Sequence, residues 1–374
     1  MGGPMARHEQ EWVLLNPGPG NTTRAVREAL VTPDLCHREA EFFAVMRACR
    51  EGLVRLAGGG DAFTAVCLTG SGTAAVEATL CSVIPPDRAV LIVDNGVYGR
   101  RMVQMAKAHR IPAEVIKYDI AAPVRPAEVE ARLANRPDIS HVAIVHHETT
   151  TGLLNPVPAV ADTAARLGRG LLVDATSSLF GEPLDITQAG IDFVTANSTK
   201  CVQGMPGVGF VLARRRALEK LQGRPPRSVY LDLYTHHAMQ EQDNTPFTPA
   251  IQIFFALRQA LEELEREGVD ARIKRYAENA RTLREGMSRL GFTILVPEGC
   301  RSNILTTFRL LPGLTYDALH AAMKRRGYII YAGQGDIRTY AFRVANLGTL
   351  TPTDMEGVVA AFADSLRELG LRSR

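Results

Sequence analysis

Between two apolar runs, Ile191-Asp192-Phe193-Val194 and Gly207-Val208-Gly209-Phe210-Val211-Leu212, the chain reads Asn197-Ser198-Thr199-Lys200-Cys201-Val202-Gln203-Gly204. Short apolar runs of this kind are read as buried strands. A lysine between two such strands is an unusual choice, because lysine is rarely fully buried without a partner. Burial lowers the pKa of an amine, and the neutral amine can form a Schiff base with an aldehyde. The alternative is a solvated lysine in a surface loop, and Lys200 alone does not separate the two.

If the aldehyde is pyridoxal phosphate, three further groups are required. These are a cradle for the phosphate, an acid for the pyridine nitrogen and an anchor for the substrate's acid group. The sequence offers a candidate for each. The predicted strand Ala65–Thr69 runs into Gly70-Ser71-Gly72-Thr73 and then a helix over Ala74–Val83. A strand, a glycine turn and a helix start bring free backbone N–H groups and the positive helix end to one point, which suits an anion. Ser71 and Thr73 add hydroxyls. Asp174 ends the apolar strand Gly170–Asp174, where it can face a pyridine nitrogen or merely cap a turn. Tyr98, in the predicted loop Gly96–Gly99, is a candidate ring to stack on the cofactor or a core tyrosine. Thr150 and Thr151 can reach a ring hydroxyl or cap the next turn. Arg343 stands inside the apolar strand Ala341–Ala345, where a guanidinium is either an anchor for a carboxylate or phosphonate or half of a structural ion pair. His146 and His147 lack a third ligand at metal spacing, so no metal site is expected.

The order of elements fits this constellation. Predicted strands at Val90–Val93, Glu114–Ile116, His141–Val145 and Gly170–Asp174 alternate with helices at Arg100–His109, Pro126–Ala134 and Val157–Leu167. Alternation of this kind implies an α/β fold with a mainly parallel sheet covered on both faces. Ligands in such sheets bind beyond the C-terminal strand ends, where Ser71, Tyr98, Glu148, Asp174 and Lys200 all fall. After Arg214 the pattern loosens into long helices and short β signals. The expected division is a tail over 1–12, a large domain over 13–265 and a smaller α+β domain over 266–374.

The whole-chain numbers exclude some classes. With 43 Lys and Arg against 40 Asp and Glu, the net charge of +3 is too slight to argue for nucleic acid or a membrane surface. No apolar run is long enough to span a bilayer, and the first residues lack a signal-peptide core. The six cysteines show no C-x-x-C pair or zinc spacing and read as reduced thiols of a cytoplasmic protein.

Assembled, these residues make the chain resemble the class V aminotransferases, pyridoxal phosphate enzymes of the aspartate-aminotransferase-like fold. The resemblance covers nearly all of residues 13–365. It rests on Leu15-Asn16-Pro17-Gly18-Pro19, Gly70–Glu77, Asn95–Arg100, His147–Gly152, Val173–Ala175, Lys200–Gly204, Thr245–Pro249 and Phe342–Gly348. The Glu-Thr-Thr-Thr-Gly and Lys-Cys-x-Gln-Gly blocks resemble the branch that moves the amino group of 2-aminoethylphosphonate to pyruvate, giving phosphonoacetaldehyde and alanine. The alternatives are an alanine–glyoxylate or serine–pyruvate type transaminase, and a non-catalytic sensor that binds the cofactor. By the resemblance Lys200 holds the cofactor and shuttles the proton, and Asp174 pairs with the ring nitrogen. Ser71, Gly72 and Thr73 bind the phosphate, Tyr98 stacks, and Arg343 binds the substrate's acid group. The resemblance also implies a homodimer in which Thr248 completes the phosphate site of the other subunit. One departure stands out: Tyr331-Ala332-Gly333-Gln334 occupies the place of the family's Tyr-Pro-Gly-Lys.

Overall fold

The computed structural model describes residues 12–371, so nearly all of the expected tail over 1–12 lies outside the described residues. Seven strands form the main sheet: β1 (Phe63–Thr69), β2 (Ala89–Asp94), β3 (Ala113–Lys117), β4 (Ile139–Val145), β5 (Gly170–Asp174), β6 (Ile191–Asn197) and β7 (Val208–Arg214). Their spatial order is β1-β7-β6-β5-β4-β2-β3. β7 is antiparallel to both its neighbours and the pairs among β2 to β6 are parallel, which makes the sheet the mainly parallel one expected. The strands are apolar along their length because both faces are covered: one cluster packs helices Ala40–Leu56 and Ile251–Glu267 on one side, and another packs Gly72–Val83 and Val97–Ala108 on the other.

Lys200 lies just beyond the C-terminal end of β6, in the turn that carries the chain back into β7. Ser198 Oγ donates to the Met205 carbonyl and the Gly204 N–H donates to the Ser198 carbonyl at 2.7 Å, which closes this turn. Gln203 takes the left-handed conformation (φ 64°), and its Nε2 donates at 2.7 Å both to Tyr276 Oη and to the Gly348 carbonyl. These bonds fasten the lysine turn to the C-terminal half of the chain.

A second core is built around a three-stranded antiparallel sheet of β8 (Leu305–Arg309), β9 (Tyr331–Ala332) and β10 (Ala341–Ala345), in the order β8-β10-β9. Helices Val269–Arg289, Tyr316–Arg325 and Pro352–Glu368 cover it, and Phe292, Phe308, Phe342 and Phe362 meet within it. Leu15 belongs to this core as well, because Val13–Leu14 pairs in parallel with Tyr328–Ile329. One local expectation changes. Gly96–Gly99 is not a loop, since the helix begins at Val97 and Tyr98 sits in its first turn. Tyr328–Ile329 and Tyr331–Ala332 pair with different partners on either side of the buried Ile330.

Candidate active site

Asp174 is the last residue of β5, in register with Val145 of β4 and Thr195 of β6. It is buried, and Oδ1 accepts the Thr176 N–H at 2.9 Å. Burial holds its carboxyl above the usual range, opposed in part by hydrogen bonding from Thr176 and then by the charges of Lys200 and Arg101. Lys200 donates from Nζ to the Pro17 carbonyl. Burial pushes its amine down to about 8, with Arg343's charge acting in the same direction and Asp174's against it. Gly18 makes this position possible: a Cβ there would stand 2.4 Å from Lys200 Cδ and 2.7 Å from Nζ, and its φ of 125° suits glycine. The neighbouring Cys201 is buried, and burial pushes its thiol up to about 12.

The glycine turn after β1 leads into helix Gly72–Val83, one residue pair earlier than the sequence predicts. Ser71 is its N-cap residue, but the Ser71 side chain makes no capping bond, so the hydroxyl and the first N–H groups stay open to an anion. A Cβ at Gly72 would fall 2.6 Å from Thr176 Cγ2, so only glycine lets the helix start lie this close to the Asp174 turn. Thr73 Oγ1 accepts from Arg101 Nη1 at 3.1 Å, and the same guanidinium lies 4.9 Å from the centre of the Tyr98 ring. Thr73, Tyr98, Arg101, Asp174 and Thr176 line one small cavity together.

Glu148 organises the opposite wall. Its fully buried carboxylate accepts from the N–H groups of Tyr98 and Gly99, both at 3.2 Å, and from Thr150 N at 3.1 Å and Oγ1 at 2.6 Å. Thr150 Oγ1 in turn accepts from Val97 N at 2.9 Å. The Thr150 hydroxyl is therefore spent on holding the Tyr98 helix to the β4 loop.

Arg343 is 3 % exposed, opposite Thr307 and Tyr331 in the small sheet. Nε donates to the Ala332 carbonyl at 2.9 Å, and Nη1 donates to the Thr149 carbonyl at 2.8 Å and Gln334 Oε1 at 3.1 Å. No carboxylate among the described residues lies within ion-pair distance of it, and Nη2 has no protein acceptor. Thr248 is exposed. It groups with Tyr230, His236 and Phe247 near Thr69 rather than with Ser71–Thr73.

The structure thus places Thr73, Tyr98 and Asp174 around one cavity with the Ser71–Gly72 turn beside it, sets Lys200 close enough to Asp174 and Arg343 to feel the charge of both, and leaves Thr248 on the surface. Arg101, Glu148, Thr176 and Gly18 were given no role by the sequence reading. Arg101 had a readable signal, since it follows Tyr98 by three residues on a helix. Thr176 Oγ1 is buried without a partner, the Asp174 carboxylate faces a cavity and the Ser71 cap is unused. A phosphate-bearing pyridine aldehyde would satisfy these open groups. Among the described residues no group of three His, Cys, Asp or Glu side chains is placed to hold a metal, and no helix is long and apolar enough to cross a membrane.

The family described as Aminotransferase class-V matches residues 25–341. The 2-aminoethylphosphonate–pyruvate transaminase of Vibrio vulnificus (strain CMCP6) is 41% identical over 364 residues, 96% of this chain and 98% of that protein. The protein of the same name from Syntrophobacter fumaroxidans is 39% identical over 372 residues, 98% of this chain and 100% of its own. Among solved structures, the aspartate aminotransferase of subgroup IV from Thermus thermophilus superposes with a TM-score of 0.87 at 30% identity, covering 96% of this chain and 99% of that one. The pyridoxamine–pyruvate aminotransferase of Mesorhizobium loti superposes with a TM-score of 0.91 at 25% identity, covering 98% and 95%.

Proposed function

The chain belongs to the class V aminotransferases, and on that premise we propose that it moves the amino group of 2-aminoethylphosphonate to pyruvate, giving phosphonoacetaldehyde and alanine. The observation that carries this reading is Arg343, a buried guanidinium with no carboxylate partner among the described residues and a free Nη2, close enough to Lys200 for its charge to help lower that amine's pKa. The printed names of the relatives, near 40% identity over almost the whole chain, point to the same donor and acceptor.

The cofactor of the class is pyridoxal phosphate, which when bound supplies the carbonyl that takes up the amino group and an electron-withdrawing ring. The rest falls to the chain. The Ser71–Thr73 turn and the helix start behind it hold the phosphate. Asp174 keeps a proton on the ring nitrogen, because a carboxylate beside a pyridinium stabilises both charges. Lys200 is the attachment point, and its free amine moves the proton at the substrate carbon. The Tyr98 face packs the ring, with Glu148 fixing the Tyr98 turn. Arg343 receives the acid group of each substrate in turn. A transaminase uses one site for two partners, and here both carry an acid group that a guanidinium can bind through paired hydrogen bonds. Gln334 shares Arg343 Nη1 with the Thr149 carbonyl. An accepting amide at this position aims the guanidinium without adding a second positive charge. We further propose a homodimer in which Thr248 reaches the phosphate of the other subunit.

A donor panel, 2-aminoethylphosphonate and serine against pyruvate and alanine against glyoxylate, tests the reading. The expected outcome is a kcat/KM for 2-aminoethylphosphonate well above the carboxylate donors. Equal or higher turnover with serine or alanine and glyoxylate would move the chain to the other branch of the family.

A further inference from the structure

Two sizeable cavities lie away from the candidate active site, and their charge differs in kind. The larger, of about 760 Å³, is lined by Arg47, Arg50, Arg55 and Arg215, and each pairs with a carboxylate: Asp243, Glu241, Glu265 and Glu241 in turn. That cavity is a neutralised surface. The second, of about 440 Å³, opens at the N-terminal ends of β4, β5 and β6. It gathers Arg169, Arg216, Lys220 and Arg224 around a single carboxylate, Asp192, which Arg214 already faces at 3.8 Å. Among the described residues, Arg169, Arg216 and Lys220 donate to no protein acceptor and have no carboxylate within ion-pair distance. Arg169 Nε is buried without a partner. Arg224 spends Nη1 on the Val83 carbonyl at 3.0 Å.

We propose that this cavity is a binding site for a small phosphate-type dianion, inorganic phosphate or a phosphomonoester, distinct from the phosphate cradle of the cofactor. Four cations converge on one concavity of small-molecule size instead of spreading as a stripe over a face, which separates this arrangement from a nucleic-acid surface. Guanidinium forks match phosphate oxygens in pairs, and a lysine adds a compact charge. The His141 ring at the floor carries no charge: burial, together with the charges of Arg224 and Lys220, pushes it down to about 4, and Asp192 is the one carboxylate there, facing Arg214. Gly170 keeps the floor open, since a Cβ there would lie 2.4 Å from His141 Cδ2 and 2.5 Å from Asp192 Oδ2. His141 and Gly170 are register partners at one end of β4 and β5, and Val145 and Asp174 are partners at the other. Four residue steps at about 3.3 Å each put the two sites about 13 Å apart along the same strands. A dianion here therefore does not compete for the candidate active site.

Calorimetric titration of the cofactor-loaded enzyme in phosphate-free buffer tests this, with inorganic phosphate and then glycerol 3-phosphate as titrants. The expected result is saturable binding of one equivalent per chain with a submillimolar Kd. The tighter of the two titrants identifies the source of the ligand. The Arg216→Gln/Lys220→Gln double variant changes two exposed side chains and should weaken binding by at least about tenfold, with kcat/KM for the amino donor unchanged in the same buffer. Absence of saturation up to about 10 mM, a range weaker than any specific site needs, overturns the proposal. So does binding that survives in the double variant but is lost in Arg343→Ala, because the anion then sits on the substrate anchor. Neither outcome bears on the transaminase reading, which the donor panel decides.

Discussion

The lowered pKa of Lys200 makes a prediction that needs no substrate. The perturbation is pH, applied to the enzyme stripped of cofactor. Only the neutral amine can capture an aldehyde. With a pKa of about 8 in place of 10.5, about 9% of the amine is neutral at pH 7 instead of about 0.03%, an advantage of about 300-fold. The rate of pyridoxal phosphate capture, followed by stopped-flow absorbance, should rise with pH and level off above about 8. Burial is the main cause, and charge adds signed corrections. Arg343→Met removes a cation and should move the midpoint up. Asp174→Asn removes an anion and should move it down. Borohydride trapping and peptide mapping then identify the residue that reacted. A rate still climbing with unit slope at pH 10 would mean an ordinary solvated lysine, and trapping on another lysine would remove Lys200 from its role altogether.

Other consequences follow from single side chains. Gly18→Ala forces a methyl against Lys200 and strains a φ of 125°; kcat should fall by at least about 100-fold while the circular dichroism spectrum stays native, and near-normal turnover would show that the contact is easily relieved. Arg343→Lys keeps the charge but loses the fork, so KM for both the amino donor and pyruvate should rise at unchanged cofactor content; if only one half-reaction suffers, the two acid groups do not share the anchor. Glu182 is buried and its carboxyl is raised to about 7, mainly by burial, against 4.5 when exposed. The folded state therefore holds more protons than the unfolded state between those values, and stability falls as pH rises through that window. Glu182→Gln keeps an acceptor for Ser302 Oγ and Asn303 N–H, so its melting temperature should exceed the parent's above pH 7 and lose that advantage below pH 4.5; an unchanged difference across the range refutes this account.

Much of the sheet was legible because strands covered on both faces must be apolar throughout, and helices between them must carry one apolar stripe. Asp174 and Lys200 were legible for the complementary reason, as charged residues at the ends of apolar runs. The first turn of the Tyr98 helix was not, since Gly96 and Gly99 read as loop residues. Gly99 is instead required by close approach: a Cβ there would lie 2.5 Å from the Val93 carbonyl oxygen. The role of Glu148 was hidden too, because three of its four donors are backbone N–H groups, which have no letter in the sequence. Thr293–Leu295 carries a β signal yet forms only the isolated bridge of Ile294 with Phe308, where the Leu295 N–H donates to the Thr307 carbonyl and the Arg309 N–H to the Thr293 carbonyl, both at 2.9 Å; a strand's composition does not by itself set how far pairing extends. Asp232, by contrast, caps helix Leu233–Gln240 through the Thr235 N–H at 2.9 Å, a signal present in a segment that otherwise reads as mixed.

The pair of hydrogen bonds that Gln203 donates to Tyr276 and Gly348 has a consequence for how the molecule breathes. A turn that ends at a glycine and carries the working amine would ordinarily open by local fluctuation. Here the side-chain amide spans to a phenol that is itself fully buried and to the backbone beyond β10. Opening the turn requires that buried contact to be vacated first. Amide hydrogens of Gln203 and Gly204 should accordingly exchange with deuterated solvent among the slowest in the chain, in step with the amides of β10 rather than with those of neighbouring surface turns. The backbone of the lysine turn would then open only when the smaller core itself comes apart.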